Sequence, residues 1–209
     1  MDHKQRQKRI RLLVGRLNEE RKKQAKKIDI LCNDLIAEHR EFIKRLDAIS
    51  FGWHFYETIT GITELNSLIL TASKLIKEET GDANVTFFLR QGEGFEMHMF
   101  KSTEPILLEK HGLENCFTAE AVDAICKSNK ICILEDMFAM GLAGNLNCLN
   151  EISAATIPLS QAGLSVGFIL IYRSSQEKLT ADELKSIAVI SPGLSRAITS
   201  CRSFCHSAN

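Results

Sequence analysis

A run of nearly fifty residues in which apolar side chains return every three to four positions constrains this chain more than any other feature. It passes from Ile10 through Val14, Leu17, Ile28, Leu31, Leu35, Phe42 and Ile49 to Tyr56, far longer than an ordinary helix needs to cover one side of a globular domain. With Ile28 at heptad position a, those nine residues occupy a and d positions, and Arg21, Gln24, Glu38, Arg45 and Gly52 fill the remaining five. Such a seam is too imperfect for a tight zipper but sufficient for a helix that pairs. We therefore expect a homodimer formed through Ile28, Leu31, Leu35, Phe42, Leu46 and Ile49, with Ile36 and Ile43 widening the stripe toward a second neighbour. Gly52 beside Trp53 marks where the helix bends or ends.

Charge divides the chain where Arg21 and Gln24 interrupt the seam. Residues 1–27 hold eleven Lys and Arg against Asp2, Glu19 and Glu20, a net of +8, and the remainder holds 15 basic against 23 acidic residues, a net of −8. A basic arm can neutralise nucleic-acid phosphates or meet an anionic surface. Here Ile10, Leu13, Val14 and Leu17 read instead as the start of the seam, and no aromatic residues are interleaved with the charges. Nucleic acid is thus not the expected partner; a solvated basic face is. The longest apolar run, Val166 to Tyr172, is strand-sized, so no membrane span is expected. The N-terminus lacks the apolar stretch of a secretory signal. A cytoplasmic location follows as the expectation.

The rest of the chain alternates strand and helix signals. Thr63 is placed to cap a helix through Leu65, Leu68, Ile69, Ala72, Leu75 and Ile76, closed by Gly81. Two β-rich runs, Asn84–Leu89 and Phe95–Phe100, flank the turn Gln91-Gly92-Glu93-Gly94 and predict a hairpin. Alternation in its second strand puts Phe95, Met97 and Met99 on one face and Glu96, His98 and Phe100 on the other. Phe117-Thr118-Ala119-Glu120 opens a short helix through Val122, Ile125 and Cys126. Lys130–Asp136 reads as a strand ending in acidic residues, followed by the Gly/Asn-rich stretch 140–150. A second hairpin joins Ser153–Leu159 to Ser165–Tyr172. Thr180-Ala181-Asp182-Glu183 is a capping box for a last helix, which Pro192 should kink or interrupt.

Side chains that carry chemistry are sparse. The seven cysteines show no paired metal-ligand spacing, and Cys116, Cys126, Cys132 and Cys148 sit in apolar or mixed segments where a free thiol behaves as a small hydrophobe. Cys201, Cys205 and His206 fall in what reads as a frayed tail. No Ser/His/Asp arrangement, phosphate loop or carboxylate pair stands out, so no catalytic residue and no metal site are expected. No cofactor is indicated.

Three stretches carry a family resemblance. Leu65–Gly81 followed by Ala83-Asn84-Val85-Thr86-Phe87-Phe88-Leu89 is similar to the long helix, small turn and first strand of the GAF domain family. Lys130-Ile131-Cys132-Ile133-Leu134-Glu135-Asp136 resembles the strand of that family that ends in Asp. Ala155–Leu159, Gly167–Tyr172 and Thr180–Leu184 resemble its closing hairpin and helix. The resemblance implies an α+β fold: an antiparallel sheet of five to six strands with helices on both faces, preceded by the long N-terminal helix. Together with the charge and the seam, it divides the chain into a basic helical arm over 1–27, a coiled-coil helix over 28–57 that continues into the domain, a GAF-like domain over 58–200 and a tail over 201–209.

Members of that family bind cyclic nucleotides, bilins, haem, oxo-acids or amino acids, and many bind nothing known, so fold does not select a ligand. Asn129-Lys130 matches part of the cyclic-nucleotide pattern, but the rest is missing. Cys205-His206 lies outside the region where a bilin would attach. The resemblance places a small-molecule pocket among Phe88, His98, Asp136, Met140, Asn145, Cys148 and Thr156, with Asp136 as the leading candidate, either accepting hydrogen bonds from a ligand or capping the next turn. The expected function is a non-catalytic sensory or regulatory module that binds a small molecule and signals through a dimeric helical stalk to a protein partner. The alternatives are a ligand-free protein-binding scaffold and a thiol redox sensor or methionine-sulfoxide-type reductase.

Overall fold

A computed structural model describes residues 3–81, 83–102, 113–144, 149 and 151–207. The first helix, α1 (His3–Ile59), runs without interruption through the apolar seam. The chain nevertheless divides into two units, residues 1–47 and residues 48–209. In the first unit every described side chain is exposed, including the seam residues: Leu31 keeps 67% and Leu35 70% of its surface in contact with solvent. In the second unit, the last turns of α1 contribute Phe55 and Ile59 to the core.

The globular unit continues with α2 (Leu65–Glu79), β1 (Asn84–Gln91), β2 (Gly94–Phe100), a 3-10 turn (Leu113–Cys116) and α3 (Ala119–Ser128). It closes with β3 (Cys132–Ile133), α4 (Leu134–Ala139), β4 (Ile152–Gln161), β5 (Leu164–Ser174) and α5 (Ala181–Ser207). The strands form one antiparallel sheet in the order β2-β1-β5-β4-β3. This is the expected α+β architecture, with helices on both faces. Alternation along β1 and β5 sends Phe87, Leu89, Ile169 and Ile171 toward α1, α2 and α5, and Phe88, Phe168, Leu170 and Tyr172 toward α3 and the 3-10 turn.

Local chemistry explains most boundaries. The Thr118 hydroxyl accepts from the Ala121 N–H at 3.1 Å and starts α3. Thr180 and Glu183 form the reciprocal box at the start of α5, with the Thr180 N–H donating to Glu183 at 2.6 Å and the Glu183 N–H donating to the Thr180 hydroxyl at 3.2 Å. The β4–β5 hairpin turns on Ala162 and Gly163, both at positive φ. Gly167 sits where β5 crosses closest to β1: a Cβ there would lie 1.9 Å from the Phe88 carbonyl oxygen.

Four expectations are corrected. The N-cap of α2 is Glu64 rather than Thr63, with the Ser67 hydroxyl donating to the Glu64 carboxylate at 2.6 Å. Lys130–Asp136 is not a full strand: only Cys132 and Ile133 pair with β4, and α4 begins at Leu134. The acidic pair Glu135–Asp136 favours a helix N-terminus at that point, and Asp136 fastens it by accepting the Ile133 N–H at 3.0 Å. Pro192 does not interrupt α5. In the turn where it withholds a donor, the Tyr56 hydroxyl donates to the Val189 carbonyl at 3.0 Å, and Gly193 leaves room for the Tyr56 ring, which a Cβ would approach to 2.1 Å. Finally, the segment read as a tail is helical to Ser207, and Cys201 is part of the core.

Arg173 holds the end of β5 to its surroundings. Its guanidinium donates to the carbonyls of Thr80, Glu177 and Lys178 and forms a paired contact with Glu183 at 2.9 and 3.0 Å. Burial works to raise the Glu183 pKa, but hydrogen bonds from Thr180 and the hydrogen bond and charge of Arg173 outweigh it, and the carboxyl sits below its ordinary value. A depressed folded-state pKa adds stability above the ordinary carboxylate range, and that stability is lost as pH falls through the folded value. Denaturant unfolding should therefore show stability declining on acidification below about pH 5. Glu183→Gln should be less stable at neutral pH and show a shallower decline; an unchanged slope would contradict the assignment.

Candidate functional site

The sheet face under α3 is where the described residues gather the chemistry. The 3-10 turn lays Glu114 against the sheet, 6% exposed. One oxygen of its carboxylate accepts two hydrogen bonds, from the Thr86 hydroxyl of β1 at 2.8 Å and the Tyr172 hydroxyl of β5 at 2.9 Å. A buried carboxylate is costly unless donors satisfy it, and these two donors come from neighbouring strands. Burial first, and then the Glu114 charge, push the Tyr172 phenol far above its ordinary pKa, so it remains a donor throughout the physiological range.

Further along the same face, Phe88 and Phe168 stack at 4.7 Å between ring centroids, and Phe117 packs on them at 5.2 and 6.0 Å. Leu113, Val122, Ile125, Met137 and Leu170 complete this layer, all buried. The centre of the face is therefore filled with side chains. Open space begins at its β2 side, in a cleft of about 250 Å³ walled by Phe88, Phe95, Met97, Phe117 and Val122 with Glu93 and Asp123 at the rim. Arg90 borders it, paired with Asp123 at 2.7 Å and lying over the Phe95 ring at 5.5 Å. A larger groove of about 490 Å³ lies elsewhere, against α4 and the start of β4, with Leu134, Phe138, Ile152 and Ala154 among its walls.

The sequence-derived candidates separate across this geometry. Phe88 and Thr156 lie on the α3 face: Phe88 walls the cleft, and Thr156, fully buried, directs its hydroxyl to the Cys132 carbonyl at 3.5 Å. Met140 caps the C-terminus of α4 and packs against the same core. Asp136 is exposed and spends its carboxylate on its own helix, the capping alternative raised above. His98 lies on the opposite face from Phe88. It pairs with Phe87 in the sheet, and its Nε2 approaches Glu96 at 3.2 Å without hydrogen-bond geometry, while Arg202 of α5 reaches the other oxygen of that carboxylate at 3.9 Å. His98 and Phe88 therefore share no cavity. Asn145 and Cys148 lie outside the described residues.

Glu114, Thr86, Tyr172, Phe117 and Phe168 were not among the candidates. Glu114 and Tyr172 are 58 positions apart, and no spacing rule joins a residue of a short 3-10 turn to a strand near the other end of the domain. Among the described residues no group of His, Cys, Asp and Glu is placed to hold a metal ion. Cys126 and Cys132 are buried. Burial raises the Cys126 pKa, and burial followed by the Glu114 charge raises that of Cys116, the reverse of what an activated thiolate requires.

Comparison with known proteins agrees with the fold. No family model matches the chain, and no curated protein matches it by sequence. Solved structures do. The GAF domain of a phosphoenolpyruvate-protein phosphotransferase from Coxiella burnetii superposes with a TM-score of 0.55 at 10% identity, covering 77% of this chain and 98% of that one. A protein with bound biliverdin, in its far-red absorbing dark state, gives 0.51 at 14% identity over 73% of this chain and 99% of that one. The free methionine-R-sulfoxide reductase from Neisseria meningitidis, in complex with its substrate, gives 0.52 at 14% identity over 75% and 90%. At such identities the likeness defines the fold alone, and that fold is the GAF fold.

The Glu114 network makes a quantitative demand. Glu114→Leu strands two buried hydroxyls and should cost about 2–3 kcal/mol in urea unfolding, whereas Tyr172→Phe removes one donor and should cost about 1 kcal/mol. Because both act on the same hydrogen bond, the double variant should lose less than the sum of the two. Strict additivity would show that the contact does not couple them.

Proposed function

We propose that this chain is a non-catalytic regulatory module of the GAF fold that self-associates through α1 and takes a small, largely apolar or aromatic molecule in the cleft beside α3. The observation that carries this reading is the contrast between the globular core and the apolar stripe of α1. The globular unit buries its own apolar side chains, while the six expected dimer residues of α1, Ile28, Leu31, Leu35, Phe42, Leu46 and Ile49, remain exposed along one stripe. A helix with a sustained unpartnered stripe gains most of its stability from a partner.

The cleft supports the ligand half of the proposal. Three aromatic rings and a thioether wall it, with Arg90, Asp123 and Glu93 at the rim to orient an occupant. Two solved neighbours, one with biliverdin and one with its substrate, carry small molecules on this fold. A change at the cleft reaches the rest of the domain through β1, which bears Phe88 on one face and Phe87 and Leu89 on the face toward α1, α2 and α5. Signalling of this kind requires a ligand that favours one of two arrangements. A partner protein would carry the output, in a cytoplasmic setting; no helix among the described residues is long and apolar enough to cross a membrane.

The filled centre of the α3 face favours a second reading, a scaffold whose domain binds only protein. Native mass spectrometry of the freshly purified chain separates the two, since a retained small molecule supports sensing and an unladen dimer supports scaffolding. For self-association itself, the variant Leu31→Glu/Leu35→Glu should sediment as a monomer with its globular unit still folded. A wild-type chain that is monomeric at every concentration would refute the proposal.

A further inference from the structure

The polar residues that interrupt the α1 seam carry information about how two copies meet. We infer that the α1 helices pair antiparallel, in the register that sets Arg21 of each copy opposite Glu38 of the other. This deepens the dimer reading above and rests on it.

In a parallel pair, each a position faces its own copy, and so does each d position. Arg21 would then face Arg21, Glu38 would face Glu38, and Arg45 would face Arg45, three like-charge contacts within one seam. The basic segment 1–27, net +8, would also lie along its own duplicate. Like charges opposed across an interface weaken it.

An antiparallel pair sets a positions opposite d positions and obeys two-fold symmetry, so that if residue i meets residue j, then j meets i. One register matches the seam from end to end, with Gln24 opposite Leu35 and Arg45 opposite Val14 as its two mixed pairs. It joins the two apolar ends, Ile10 with Ile49, and continues inward through Leu17 with Phe42 to Ile28 with Leu31 at the centre. In the same register Arg21 falls opposite Glu38, twice by symmetry. Residues 10–27 then lie along residues 32–49 of the other copy, where four acidic residues oppose three basic ones. Arg45 faces Val14, and its charge is already met on its own helix by Glu41 at 3.6 Å.

Displacement by one heptad sets Arg21 against Leu31 and Ile49 against His3 in one direction, and Arg21 against the like-charged Arg45 in the other. The exposure of these residues in the single chain shows that none is consumed by contacts within it: Arg21 and Glu38 are exposed, as are the apolar residues around them. The overlapping stretch, forty residues from 10 to 49, spans about 60 Å at 1.5 Å per residue.

Charge reversal in the full-length chain tests the arrangement, with the dimer dissociation constant read by sedimentation. Arg21→Glu alone and Glu38→Arg alone should each weaken the dimer about tenfold or more, since each converts two opposite-charge contacts into like-charge ones. Arg21→Glu/Glu38→Arg together should restore it to near the wild-type value, and added salt should weaken the wild-type dimer. If either single variant dimerises as well as wild type, or the double variant shows no rescue, the antiparallel register is overturned while the dimer stands. If the wild-type chain is monomeric at every concentration, the dimer reading itself fails and takes the orientation with it.

Discussion

The double burial of β5 is the constraint on which the globular unit depends. The strand is hydrogen-bonded on one side to β1 and on the other to β4, and its residues alternate between two cores: Ile169 and Ile171 on the helical side, Phe168, Leu170 and Tyr172 on the α3 side. A strand so placed can tolerate no register slip, because a shift of one residue would exchange the two sets. The close approach at Gly167 and the positive-φ pair at Ala162-Gly163 hold that register at one end, and the Arg173 clamp holds it at the other. Apolar burial drives this arrangement, and the polar groups make it specific.

Within that frame, the two faces of the sheet have different chemistry. The side toward α1, α2 and α5 is apolar apart from its margin, where Glu96, His98 and Arg202 approach one another. The α3 side accepts a buried carboxylate, a phenol and two threonine hydroxyls among its aromatic rings. This asymmetry is what a fold needs if one face is to be structural and the other is to meet a ligand. Among the described residues Glu114, Thr86 and Tyr172 satisfy one another and Thr156 turns to the Cys132 carbonyl, which leaves the aromatic cleft at the β2 side as the accessible part.

Most features decided within a few residues were legible in the sequence, the N-cap of α2 at Glu64 rather than Thr63 being the exception. The Thr118 cap, the Thr180–Glu183 box and both hairpin turns depend on local hydrogen bonds or on backbone conformations that few residues adopt, so residue type at fixed spacing was enough. The helical course of α1 was legible from its periodicity. The boundary between β3 and α4 was not, because the short apolar run from Ile131 to Leu134 suits a strand or a buried helical turn equally, and only the exposed edge of β4 shows how little of it pairs. His98 was assigned the correct strand face relative to Met97 and Met99, yet which face turns toward α3 depends on pairing with Phe87, outside the reach of alternation alone. The Glu114–Tyr172 contact depends on tertiary structure entirely. Asp136 shows the converse case: an acidic residue at the right place in a motif, occupied with its own helix terminus.

The central claim is that the apolar stripe of α1 is covered by a second copy of the chain. Hydrogen–deuterium exchange over residues 10–49, followed as the protein is diluted, reads that coverage directly, because an unpartnered exposed helix of this composition opens freely. The account predicts amide protection across this stretch at high protein concentration that disappears on dilution, while protection of β1 and β5 stays constant. Fast exchange of residues 10–49 at every concentration would contradict it.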